Sequence, residues 1–197
     1  HIMPDPRRKS ESTALISAVT GATVLHMAGT RERARAATTA EILRLARAQM
    51  AAEGPASLSL RAIARDLGMV SSAVYRYFPS RDDLLTALII ESYDRLGAAV
   101  EQADAGVTQR GDHRRRWLVI TRAMRTFAVD HPAEWALLFG TPVPGYAAPQ
   151  DTIGPATRYT LVLVRILTDM AAAGQRHEAH VPEAVRPDLD RLRATLS

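Results

Sequence analysis

Cysteine is missing from all 197 residues, and lysine occurs once, at Lys9. Without thiols there is no disulfide and no thiolate metal site, so neither an oxidising compartment nor a zinc finger is indicated. No segment approaches the roughly 18 uninterrupted apolar residues of a membrane span. The basic N-terminus has no secretory h-region or cleavage site. These absences predict a soluble cytoplasmic protein with no membrane partner. No alternating run makes a strand, and no Ser-His-Asp set, paired carboxylates or phosphate loop points to catalysis. We therefore expect no enzyme activity and no cofactor. His177 and His180 have metal-like i, i+3 spacing but sit in a polar tail, and are not read as a metal site.

The composition is that of a globular chain, 47% hydrophobic and 23% charged. Its net charge of +4 is unevenly placed. Residues 27–81 carry nine arginines against four acids, a balance of +5, whereas residues 82–197 carry thirteen arginines against fifteen acids, a balance of −2. A basic excess confined to one segment points to an anionic partner there.

Helical signals organise the rest. His1 and Ile2 before Met3 read as a cloning remnant, with Met27 a second candidate start. Residues 1–30, interrupted by Ser, Thr and Gly, read as a disordered leader. Thr38 and Glu41 have capping-box spacing, and Ile42, Leu45, Ala46 and Met50 recur with helical period until Gly54-Pro55. Ser59 can cap a second helix that stops at Gly68. A short third helix, about Ser71 to Phe78, ends at Pro79, and Ser80 and Asp83 open a long fourth. Trp117 to Ala128 and Trp135 to Phe139 read as two more helices. Residues 141–156 form a long loop rich in Pro and Gly, of the kind that is usually functional or disordered. Leu161 to Ala173 reads as a buried helix, and Asp188–Leu196 as a short polar one. The fold class is all-α.

Helix two, the turn at Gly68 and helix three make a helix-turn-helix, whose second helix can enter a DNA major groove. Ser71, Ser72 and Ala73 are small residues at the end that reaches base edges. Tyr75 and Tyr77 offer hydroxyls, and Arg76 offers charge. Arg81 opens the next helix, where a cation opposes the macrodipole and so suggests a phosphate contact. Ser59 and Arg61 complete the candidate DNA-binding set. Arg31, Arg33 and Arg35 form either a minor-groove arm or a solvated tail.

The run "LSLRAIARDLGMVSSAVYRYFPSRDDLL" resembles the DNA-binding domain of TetR (tetracycline-repressor) type transcriptional regulators. The resemblance rests on Ile63-Ala64, Gly68, Val74-Tyr75, Tyr77-Phe78, Pro79-Ser80, Arg81 and Leu84, and covers about residues 38–90. Val70 stands where that family commonly has serine, so the third helix should be capped by Ser71 or capped weakly. The resemblance implies a helix-turn-helix domain over residues 31–80 and an effector-binding and dimerisation domain over residues 81–197. It further implies a homodimeric repressor, released from a palindromic double-stranded DNA operator by a small molecule. Trp117, Met124, Phe127, Trp135, Phe139, Tyr146 and Tyr159 are the candidate ligand-binding residues, and an effector they bind should be largely apolar. Such regulators usually end in two long dimerising helices, and this chain offers one short candidate. It is therefore either truncated or dimerised differently. The competing readings are a constitutive DNA binder without an effector switch and a helical small-molecule-binding protein.

Overall fold

The computed structural model describes the backbone of residues 6–174 and the side chains of residues 30–174. His177, His180 and the Asp188–Leu196 segment lie outside the described residues. Among those described, every regular element is a helix: α1 (Pro6–Glu53), α2 (Leu60–Asp66), α3 (Ser71–Val74), α4 (Arg81–Ala105), α5 (His113–Asp130), α6 (Pro132–Phe139) and α7 (Ile153–Ala172), with single 3-10 turns at Pro55–Ser57 and Gln150–Thr152.

The start of α1 differs from the sequence reading. Thr38 does not cap a helix; its hydroxyl donates to the Ala34 carbonyl at 3.0 Å, and Thr39 does the same to Arg35. The alanine-rich stretch before Thr38 contains no breaker, so the helix passes through it. The backbone is helical from Pro6, where a leader was expected.

The boundaries that follow are set locally. Ser59 caps α2 by accepting from the Ala62 N–H. At its other end Gly68 takes φ +65°, the Gly68 N–H bonds Arg65 O, and the Met69 N–H bonds Ala64 O. Those two bonds around a left-handed residue are a Schellman stop. Ser80 caps α4 through the Asp83 N–H. Val70 precedes α3 without a side-chain cap, as its departure from serine predicts. The long loop is shorter than expected: residues 150–152 form a 3-10 turn and α7 begins at Ile153, with Pro155 in its first turn. Proline fits there because the missing N–H has no helical partner.

Two apolar cores share α4. The first joins Ile42 and Ala46 of α1, Ile63 and Ala64 of α2, Val74 and Phe78, and Leu84, Leu85 and Leu88 of α4. The second joins Leu96 and Val100 of α4 to Ile120 and Phe127 of α5 and Val162 and Ile166 of α7. Each fully buried aliphatic side chain contributes about 1.5–3 kcal/mol. The expected domain boundary after Ser80 therefore falls at the cap of a helix whose first two turns belong to the DNA-reading unit.

Ion pairs lock the second core. Arg116, fully buried, bonds Asp104 at 2.7 Å and Asp169 at 2.6 Å, joining α5 to α4 and α7. Arg110 adds a second bond to Asp104 at 2.6 Å. Burial alone would raise the Asp104 carboxyl, but the hydrogen bonds from Arg116 and Arg110 outweigh it and hold the group below the usual range. On the outside, Arg158 of α7 reaches across α4 to Asp94 and Glu101.

Candidate nucleic-acid interface and effector cleft

The helix-turn-helix divides its residues by angle. At about 100° per residue, Ser71, Ser72, Tyr75 and Arg76 fall on one side of the turn and Ala73 and Val74 on the other. The first four are exposed and the last two buried. Ala73, expected at the DNA-contacting end, is instead 8% exposed and lies on the buried side of the turn. Arg61 is exposed on α2, while the Ser59 hydroxyl is engaged as its cap.

Two further side chains hold the domain itself. The Arg81 guanidinium donates to Pro55 O at 3.0 Å and to Ala56 O at 3.2 Å, bracing the start of α4 against the turn after α1. That internal use is a second reason for a cation at this helix start, beside the phosphate contact expected from the sequence. Tyr77 is half-buried, with the Arg35 guanidinium 5.1 Å from its ring centroid. Arg31, Arg33 and Arg35 are helical residues of α1 and not an extended arm. Arg76 and Arg61 remain as exposed cations on the helix-turn-helix, with Arg65 beside them.

Below the DNA-reading unit lies a cleft of about 430 Å³ between α4, α6, the following loop and the start of α7. Ile89, Leu137, Val143 and Ile153 supply apolar walls, and the polar atoms available are hydroxyls of Tyr93, Tyr146, Thr152 and Thr157. Among the described residues no charged side chain lines it. Tyr93 also joins an aromatic cluster, its ring centroid 6.2 Å from Phe139 and 6.4 Å from Tyr159, with Trp135 packed on Phe139 at 4.4 Å. Burial, with a smaller effect from Tyr159, pushes the Tyr93 phenol up, so it stays a hydrogen-bond donor.

The family model for bacterial regulatory proteins of the tetR family matches residues 42–88, and that for a tetracyclin repressor-like C-terminal domain matches residues 117–192. The HTH-type transcriptional regulator Rv1816 of Mycobacterium tuberculosis is 44% identical over an alignment of 174 residues that covers 84% of this chain and 71% of that protein. This chain belongs to the tetR family. A protein of unknown function from Rhodococcus sp. RHA1 is similar in structure at TM-score 0.61 and 31% identity, over 69% of each chain. PfmR of Thermus thermophilus, a TetR family transcriptional regulator, shares the fold at TM-score 0.55 and 21% identity, over 70% of this chain and 74% of that one.

As a tetR-family helix-turn-helix regulator, the chain places its C-terminal aromatics in three settings. Of the expected ligand residues, Tyr146 alone lines the cleft; Phe139 and Tyr159 pack around Tyr93, and Trp135 packs on Phe139. Phe127 is buried in the second core against His131, Met124 packs on that core, and Trp117 lies 38% exposed on α5. Sequence reasoning missed Ile89, Tyr93 and Leu137. An i, i+4 pair of large side chains on α4, Ile89 and Tyr93, was the available signal. A second cleft of about 600 Å³ separates the end of α1 from the start of α6. Ion pairs dominate its rim, Arg47 with Glu91 and Arg95 with Glu134, each at 2.6 Å. Among the described residues no group of His, Cys, Asp and Glu is arranged to hold a metal, and no helix is long and apolar enough to cross a membrane.

Proposed function

We propose that this tetR-family regulator is a repressor whose outward residues Ser71, Ser72, Tyr75 and Arg76 read operator DNA, and that it releases the operator when an uncharged, mainly apolar small molecule fills the cleft at Tyr93 and Tyr146. The observation that carries this reading is the cleft lining itself, apolar walls with scattered hydroxyls and no charge. Small-molecule sites are typically concave, apolar and provided with few polar groups. A charged effector would lose hydration there without a counter-charge.

The operator should be palindromic, because helix-turn-helix dimers place their half-sites about 34–36 Å apart or a multiple of that. Leu161, Val164 and Leu167 of α7 are each half or more exposed along one face, a stripe suited to a partner subunit. The reading is tested by a binding titration on DNA from the protein's own promoter region. Arg76→Ala should lower the slope of log affinity against log salt by about 0.9, the value of one lost phosphate contact. Ala156→Trp, which takes the effector's place in the cleft, should abolish any further loss of operator affinity on adding an inducing lipophilic extract, relative to the variant's own affinity without extract. Unaltered release in the folded variant would place the effector elsewhere.

A further inference from the structure

The cleft and the DNA-reading unit share a wall: Leu137, Val143 and Tyr146 line the one and pack in the core of the other. Val143 lines the cleft and is also buried in the first core with Leu84, Leu85 and Leu88, although it lies in the loop after α6. Tyr146 lines the cleft and packs on the same core. Between them Pro144 and Gly145 make a tight turn: the Tyr146 N–H bonds Val143 O at 3.1 Å and Gly145 has φ +76°. Proline at the second position excludes the mirror-image turns, and glycine at the third supplies the positive φ, so the sequence encodes a type II turn. That turn holds both flanking side chains against α4.

A hydrogen-bond chain fixes the far end. The Tyr146 hydroxyl lies 2.9 Å from Thr86 Oγ1, and the Thr86 hydroxyl donates to Asp82 O at 2.9 Å. A threonine hydroxyl has one proton. It goes to Asp82, so Tyr146 is the donor to Thr86. The chain ends in the first turn of α4, which follows directly on the helix-turn-helix and is braced there by Arg81.

We propose that the Val143–Tyr146 turn is a strap through which the cleft controls the DNA-reading unit. An occupant that displaces the strap withdraws Val143 from the first core and breaks the Tyr146–Thr86 bond, loosening the start of α4 and the helices packed on it. The inference rests on the cleft being an effector site, and adds the route by which its occupancy is felt. A ligand shifts such an equilibrium only by its preference for the displaced strap. Typical couplings then weaken operator binding about 5–150-fold.

The test is amide hydrogen exchange on the full chain, comparing residues 60–88 with residues 96–127. Tyr146→Phe removes the latch and keeps the ring. It should speed exchange in residues 60–88 by about two- to tenfold, the range for one net hydrogen bond, and leave residues 96–127 unchanged. Thr86→Val should do the same, and the double variant should be no faster than either single one. Val143→Ala, which empties the other anchor, should also act on residues 60–88 alone. Equal acceleration in both segments, or none in any of the three variants, overturns the strap. Nile red, an uncharged apolar dye, serves as the cleft probe. In the parent it should speed exchange in residues 60–88, and in Tyr146→Phe add little further. Dye that binds without changing residues 60–88 overturns the strap and leaves the cleft reading standing. Failure of the dye to bind, with the variant effects intact, counts against the cleft reading and supports only the link from the Val143–Tyr146 turn to the start of α4.

Discussion

Arg81 separates an arginine that builds the DNA-reading unit from one that touches DNA. Its guanidinium donates to two backbone carbonyls, Pro55 O and Ala56 O, and its side chain is 32% exposed. Hydrogen bonds from a charged donor contribute about 1.5–3 kcal/mol when buried. Here one nitrogen serves both acceptors and water reaches part of the group, so Arg81→Ala should cost about 1–2 kcal/mol of stability. The 3.8 Å contact with Asp82 lies at the surface and adds little. A phosphate contact makes a different signature. Its loss would lower the slope of log affinity against log salt by about 0.9 while leaving folding intact.

Urea unfolding and DNA titrations between about 50 and 200 mM salt distinguish the two. The brace predicts a lower urea midpoint with unchanged m, and DNA binding weakened by a similar factor at every salt concentration. Arg81→Lys keeps the charge but loses the planar fork. It should fall between parent and alanine variant in stability, with the parent's salt slope. A folded Arg81→Ala with stability within about 0.5 kcal/mol of the parent and a slope lower by about one unit would refute the brace and restore Arg81 to the DNA interface.

Removing Arg116 should damage the second core, because it leaves the buried Asp104 carboxylate with Arg110 as its one remaining cation; Arg116→Met should cost about 1.5–3 kcal/mol, read as a fall in Tm of roughly 3–12 °C at about 2–4 °C per kcal/mol. Asp104, and Asp169 under the hydrogen bond from Arg116, are held below their ordinary range. Their stabilising contribution is full above the unfolded carboxyl value near pH 4 and is lost as pH falls through the lower native values. Acid unfolding should therefore set in at higher pH in Arg116→Met, and an unshifted acid limb would contradict the network. On α7, Val164→Asp places a charge in the middle of the exposed stripe and should yield monomers with weaker operator binding by sedimentation and titration; a dimer of unchanged affinity would remove that face from the interface.

The order of residues alone set the helix limits of the DNA-reading unit and marked the family. Ser59, Gly68 and Ser80 act on backbone groups within five residues, through caps and a positive φ, so their effect is local and legible. The apolar period likewise selected Ile42, Ala46, Ile63 and Leu84, all of which are buried. Thr38 misled because the same hydroxyl that caps a helix also bonds back within one, and neighbouring propensity chooses between them.

Which side chains are free to act was settled by packing between distant segments. Arg81 meets its acceptors 25 and 26 residues away, and Tyr146 meets Thr86 at a separation of 60. Nothing local distinguishes such an arginine from one aimed at phosphate, since both require a cation at the same helix start. Ala73 illustrates the same point on a smaller scale: its size suits close approach to DNA or to a core, and the crossing of α2 and α3 turned it to the buried side. Among the aromatics, helical spacing could mark a shared face but not what that face meets. Packing against α4 made Phe127 core, left Trp117 on the surface and carried Tyr146 to the cleft, because burial depends on partners distant in the chain and not on the period of one helix.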